Sequence, residues 1–321
     1  MAEFNYGGQA VMEGVMMRGS KAMAVAVRAP GGQIVVHSEP LNQAIYGGWV
    51  ARLPFVRGLT VLWDTLILGM RTLMFSAEIA SQSPTTPAQP SEKPESGETL
   101  FTAPIAWGTV LLSVAMAVGL FFLLPAFLVK LIDPYISSAI VSNLIEGLIR
   151  LTFVLAYIWG VGFIPDIRRV FAYHGAEHKT VHAYEAKMPL NVEAVRQNTT
   201  AHERCGTAFV MFVVVISVLV FALLGRPPLL WRLLSRILLL PVIVGIAYEW
   251  LRFGARHSEQ WWVKALLIPG LAMQRLSTRE PDDDMIVVAI AALERVLQED
   301  GLPVPGSQVA SAVATDSPTA V

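Results

Sequence analysis

Residues 173–185 read YHGAEHKTVHAYE and gather three of the chain's six histidines with two glutamates. On a helix turning about 100° per residue, with His174 as zero, Glu185 falls at about 20°, His178 at about 40°, His182 at about 80° and Glu177 at about −60°. All five share an arc of about 140°. The small side chains Ala176, Thr180 and Ala183 take the opposite side, where a neighbouring element can approach closely. Imidazoles one turn apart can hold one divalent ion between them, and a carboxylate beside them can take a proton from water. His182 lies about 12 Å along the axis from His174, so a straight helix requires a second ion, a kink or another role for it.

His174 to His178 reads HxxEH, an order in which two histidines bind zinc and the glutamate activates water. His202-Glu203-Arg204-Cys205 follows at the end of the same polar stretch, and Glu249 lies about one turn inside a later apolar segment. A carboxylate at that depth is a functional candidate, with a salt bridge to Arg252 or Arg256 as its structural alternative. Near the start, GGQAVMEGVMMRG presents Glu13 among glycines, either as a base reaching the His/Glu helix or as part of a packed turn. The expected metal ligands are therefore His174, His178, His182, Glu185, His202 and Glu249, and the expected catalytic carboxylates are Glu177 and Glu13. Cys205 is read as a small packing residue, with a soft-ligand role beside His202 as the alternative.

These residues need a scaffold, and composition says which kind. Of 321 residues, 54% are hydrophobic and only 15% charged, too apolar for an ordinary soluble domain. Four apolar stretches, 105–129, 144–164, 207–224 and 229–251, approach the roughly 20 residues needed to cross a bilayer. Seven Lys and Arg fall in 1–104, six in 166–206 and six in 251–321, which places both termini and the 166–206 loop in the cytosol. The chain is thus expected to be a polytopic α-helical protein of the cytoplasmic membrane, with its chemistry on the cytosolic side. The start lacks the pattern of a cleaved signal peptide and reads as cytosolic.

Residues 1–52 form a small cytosolic α+β element, with AMAVAVR and QIVVHSE flanking the turn 29–32. In 53–80, Arg57, Asp64, Arg71 and Glu78 recur every seven residues, which predicts an amphipathic helix lying on the membrane surface rather than crossing it. A Pro, Ser and Glu-rich linker occupies 81–104, and a disordered tail follows 301. Within the cytosolic segment 252–300, acidic residues 282–284 open a helix that runs to about Glu299. The single cysteine excludes a disulfide framework, and the absence of Lys/Arg-rich runs argues against nucleic acid as a partner.

GGQAVMEGVMMRG, YHGAEHKTVHAYE, HERCGTAF, YEWLRF and PGLAMQRLSTREP occur in this order. In them the chain resembles the YqhQ-like family of bacterial membrane proteins, which carries the domain of unknown function 1385. The resemblance runs from Tyr6 to about Val296 and implies a metal-dependent membrane enzyme. Where HPRC is expected the chain has HERC, so Glu203 is not essential. The combined expectation is a hydrolase using a divalent ion, zinc first, against a membrane-embedded peptide or a lipid-linked head group. Manganese, iron and nickel also suit His and carboxylate donors. The alternative is a non-catalytic scaffold, or a metal-binding sensor or carrier.

Overall fold

The computed structural model describes residues 6–41, 53–82, 104–203, 205–257, 260–306 and 313–315. The linker expected at 81–104 lies almost wholly outside these. Four strands, β1 (Gly7–Val11), β2 (Gly14–Arg18), β3 (Ala22–Arg28) and β4 (Ile34–Pro40), form an antiparallel meander in chain order. The hairpin expected around 29–32 joins β3 to β4. GGQAVMEGVMMRG is a hairpin too, β1 with β2. A short β5 (Val313–Thr315) pairs parallel with β4, in the tail expected to lack structure.

Period-two alternation sends Val15, Met17, Ala24, Ala26, Ile34 and Val36 to one face of the sheet. There they meet two helices, α5 (Pro165–Glu185) and α11 (Asp283–Asp300). Met16, Met23, Val25, Val27 and Val35 point to the other face and meet Leu68, Phe75 and Ile79 of α1 (Val56–Ala80). Cover on both faces explains why residues 22–27 are apolar throughout. The segment expected on a membrane surface thus covers the sheet with its C-terminal half, and it is also long and apolar enough to cross a membrane.

Asp300, at the end of α11, fastens this unit to the β2–β3 turn. It accepts hydrogen bonds from Tyr6 Oη (2.7 Å), Ser20 N (2.8 Å) and Lys21 N (2.9 Å). Burial alone would raise its pKa, but these donors outweigh burial and hold it below the ordinary aspartate range.

The remaining helices form a bundle. In α2 (Pro104–Val118) the chain runs through a π-helical turn, Gly119–Leu123, into α3 (Leu124–Ile132), and α4 (Ala139–Val161) follows. After the short α6 (Val192–Arg196) come α7 (Gly206–Ala222), α8 (Leu229–Leu238), α9 (Leu240–Arg256) and α10 (Trp261–Ser277). Among the described residues three helices can span by length and apolarity: Val56–Ala80, Leu111–Tyr135 and Ala139–Val161. A fourth results if α8 and α9, bent by 44°, count together. The straight helix expected over 229–251 breaks because Pro241 has no N–H to give and fits only a first turn. The stretch 207–224 forms a helix of 17 residues, shorter than those three. Packed against it is α10, which carries apolar residues of the segment read as cytosolic; an added Cβ on Gly270 would lie 2.8 Å from that of Ala208.

The bundle is inverted in polarity relative to a soluble domain. On α8, Arg232 and Arg236 are 0% exposed, while Trp231 is 63% and Leu238 69% exposed. Both buried arginines and Arg150 converge on Glu146, with Arg150 at 2.8 Å, Arg232 at 3.0 Å and Arg236 at 2.7 Å. Asp133 binds Arg232 (2.6 Å) and Ser142 (2.5 Å) at the edge of the same network.

Two expectations follow. Asp300→Asn should cost about 2 kcal/mol, the range for a hydrogen-bonded charge, read as a lower unfolding temperature in detergent. Because the native pKa is depressed, that contribution is full above the ordinary aspartate pKa and fades as pH falls through the native value. The gap between wild type and variant should therefore close on acidification, and a gap constant with pH would contradict the assignment. Glu146→Ala leaves three arginines without their shared partner and should cost about 3–5 kcal/mol; an unchanged unfolding temperature would show that the network stabilises nothing.

Candidate metal centre

Pro165, tolerated in a first turn, restarts the helix after α4 and begins α5. One side of α5 is committed to the sheet unit through Ala172, Ala176 and Ala183. Its other side faces Thr200, Ala201, His202 and Cys205 and the end of α10. Gly175 permits this approach, since a Cβ there would lie 2.1 Å from the Arg279 carbonyl oxygen. Arg279 N donates to Phe171 O (2.9 Å), and buried Lys179 pairs with Glu280 and donates to Arg196 O (2.8 Å).

Those clamps place backbone carbonyls against the histidines. His174 Nδ1 lies 2.9 Å from Ser277 O, and His178 Nδ1 lies 2.6 Å from Thr200 O. A carbonyl only accepts, so in the neutral rings Nδ1 carries the hydrogen and Nε2 is a bare lone pair. His174 Nε2 is 3.1 Å from Cys205 Sγ. His178 Nε2 is fully buried and 3.4 Å from Glu177 Oε2, yet has no hydrogen-bond partner. The ligand atoms of His174, His178 and Cys205 all lie within 4.8 Å of one another.

His182, Glu185 and His202 make a second group within the same limit. His182 Nε2 donates to Ala201 O (2.7 Å), leaving Nδ1 as its lone pair. Burial foremost pushes the His182 imidazole below its ordinary pKa, favouring the neutral, metal-binding form. His202 Nε2 is 3.5 Å from Glu185 Oε2. Gln274 holds His202 from behind, accepting from its N–H and donating to its C=O, both at 2.8 Å. The four rings form a row, His174–His178 at 4.4 Å, His178–His202 at 5.5 Å and His202–His182 at 4.8 Å between centroids.

A family model described as protein of unknown function (DUF1385) matches residues 53–299, a span holding every member of both groups. The chain belongs to this family. Uncharacterized protein YqhQ of Bacillus subtilis (strain 168) is 34% identical over 299 residues, covering 92% of this chain and 93% of the relative. No solved structure matches.

Of the expected site residues, the structure gathers His174, His178, His182, Glu185 and His202, with Glu177 beside His178. It does not bring Glu13 or Glu249 into either group. Glu249 pairs with Arg57 of α1 and accepts from Phe55 N (3.2 Å), a salt bridge to a partner other than the two expected; of those two, the Arg256 side chain lies outside the described residues. Glu13 turns the β1–β2 hairpin at φ 51°. It holds Arg169 (2.5 and 2.6 Å) and Tyr173 Oη (3.2 Å), and the Arg169 hydrogen bonds keep its carboxylate below the usual pKa range. The N-terminal motif reaches the site through a different residue: Gly8 N donates to Glu177 Oε1 at 2.8 Å. Gln274 was missed as a member of the site, and Cys205, read as a packing residue with a soft-ligand role beside His202 as the alternative, brings its sulfur to His174 instead. The cysteine had a signal, standing two residues before the apolar stretch 207–224; the carbonyls of Thr200, Ala201 and Ser277 had none, being backbone.

Proposed function

We propose that this protein is a metal-dependent hydrolase of the cytoplasmic membrane, with its centre at the cytosolic face. The observation that carries the metal reading is the Nε2 of His178, buried and without a hydrogen-bond partner, next to His174 whose Nε2 meets the Cys205 sulfur, with both Nδ1 atoms held by carbonyls behind them. Such second-layer hydrogen bonds fix the tautomer and orientation of ligating histidines. The orphaned, buried Nε2 of His178 fits a metal ligand better than a packed core histidine, because an unpaired buried acceptor is costly. Zinc is the first choice of ion.

The membrane reading is supported by apolar helix surfaces turned outward and arginines turned inward, which suits hydrocarbon and not water. The excess of Lys and Arg in the segments joining the sheet, α5 and α11 supports a cytosolic position for the site. Substrates of matching reach are a membrane-embedded peptide or a lipid-linked head group.

A bound divalent ion supplies Lewis acidity. Glu177 is the general base: it is buried, Gly8 N–H fixes one oxygen, and the other stands 3.4 Å from His178 Nε2, at the edge of the ligand group. Glu13 is a positioning residue through Arg169 and Tyr173, which belong to the first turns of α5.

Glu177→Gln should keep its metal and lose hydrolysis by about 100-fold or more, measured in proteoliposomes on a panel of membrane-embedded peptides and lipid-linked phosphoesters. Full turnover by the variant with metal bound would remove Glu177 as base. Metal binding with no turnover on either substrate class would favour the non-catalytic alternative, a metal-binding sensor or scaffold.

A further inference from the structure

Cys205 has no place in a His and carboxylate site, yet its sulfur stands 3.1 Å from His174 Nε2 and within 4.8 Å of a His178 ring nitrogen. We propose that His174, His178 and Cys205 form a thiolate metal site of their own, separate from the group of His182, Glu185 and His202. This rests on the metal-centre reading above and adds to it the ligand type and the number of ions.

Three observations support the thiolate site. His178 is 1% exposed, its Nε2 has no hydrogen-bond partner, and one of its ring nitrogens lies within 4.8 Å of the sulfur and of a His174 ring nitrogen. Zinc bonds of about 2.0–2.1 Å to nitrogen and about 2.3 Å to sulfur set tetrahedral ligand atoms about 3.5 Å apart. His174 Nε2 and Cys205 Sγ are already at 3.1 Å, and no pair in the group exceeds 4.8 Å. Every member also has an outer partner of the right kind. Ser277 O and Thr200 O accept from the two Nδ1 atoms, and Thr207 N–H donates to the sulfur at 3.4 Å. Three protein ligands leave a fourth position open, the pattern of a reactive site.

The second group cannot serve the same ion. His174 and His182 are separated by about 12 Å along α5, and His182 turns its Nε2 to Ala201 O. The two groups also differ in softness. A thiolate with two imidazoles favours zinc or another thiophilic ion, whereas two imidazoles with Glu185 accept harder ions as well.

The test is titration of the chelator-stripped, detergent-purified full chain with cobalt(II). The chain has one cysteine, so any thiolate-to-cobalt charge-transfer band in wild type reports Cys205 alone, whether or not a variant folds. The expected result is two cobalt ions per chain with a charge-transfer band. Cys205→Ser should lose the band and weaken one site by more than about 100-fold, beyond the effect of losing an outer-layer partner. His182→Ala should lose the other ion and keep the band. Visible cobalt bands without charge transfer in wild type would overturn the thiolate ligand and leave the metal reading standing. One ion per chain, lost in both variants, would overturn the separation into two sites. No cobalt binding at all would end the metal reading itself.

Discussion

A neutral imidazole has one hydrogen for two nitrogens, so whatever accepts that hydrogen decides where the lone pair points. Much of this structure can be read as the means of presenting three carbonyl oxygens, Ser277, Thr200 and Ala201, to three histidines of one helix. Ser277 is the last residue of α10, Thr200 and Ala201 lie before α7, and the reciprocal amide clamp from Gln274 ties these two segments together across His202. Gly175 lets the backbone at Arg279 come against α5. Moving any of these carbonyls out of hydrogen-bonding reach would free a ring to turn.

The helix that carries the histidines is shared by two bodies of opposite polarity. Its small-residue side belongs to a sheet unit with apolar residues inside, closed over both faces by α1, α5 and α11. Its histidine side meets residues that lead directly into α7 and out of α10. There the bundle turns apolar residues outward and keeps charge within, the Glu146 network being the clearest case. A site at such a junction is built on rigid elements from both sides while lying near the end of the apolar helices.

Much of this was legible in the sequence, and the failures have physical causes. Period 3.6 along 173–185 identified the face that the structure gathers, and the turn at 29–32 identified a hairpin. Glu13 and Glu249 were misread because a lone carboxylate among apolar or glycine residues indicates a buried charge without naming its counter-ion; Arg169 and Arg57 are remote in sequence. The Glu146 network had a signal that went unused. Glu146 with Arg150, and Arg232 with Arg236, are spaced one helical turn apart inside apolar stretches, where a charge requires a partner. The backbone acceptors that fix the tautomers could not be read, since a carbonyl has no residue identity.

The histidine row is read as holding a metal ion in the cell. Mass-spectrometric metal content of full-length protein, purified in detergent without chelator, tests it directly when wild type is compared with the His174→Ala/His178→Ala double variant. Near-stoichiometric metal is expected in wild type, with the loss of at least one ion per chain in the variant. No metal in either protein, even after metal is added back, would contradict it and leave the histidine row as a packing feature.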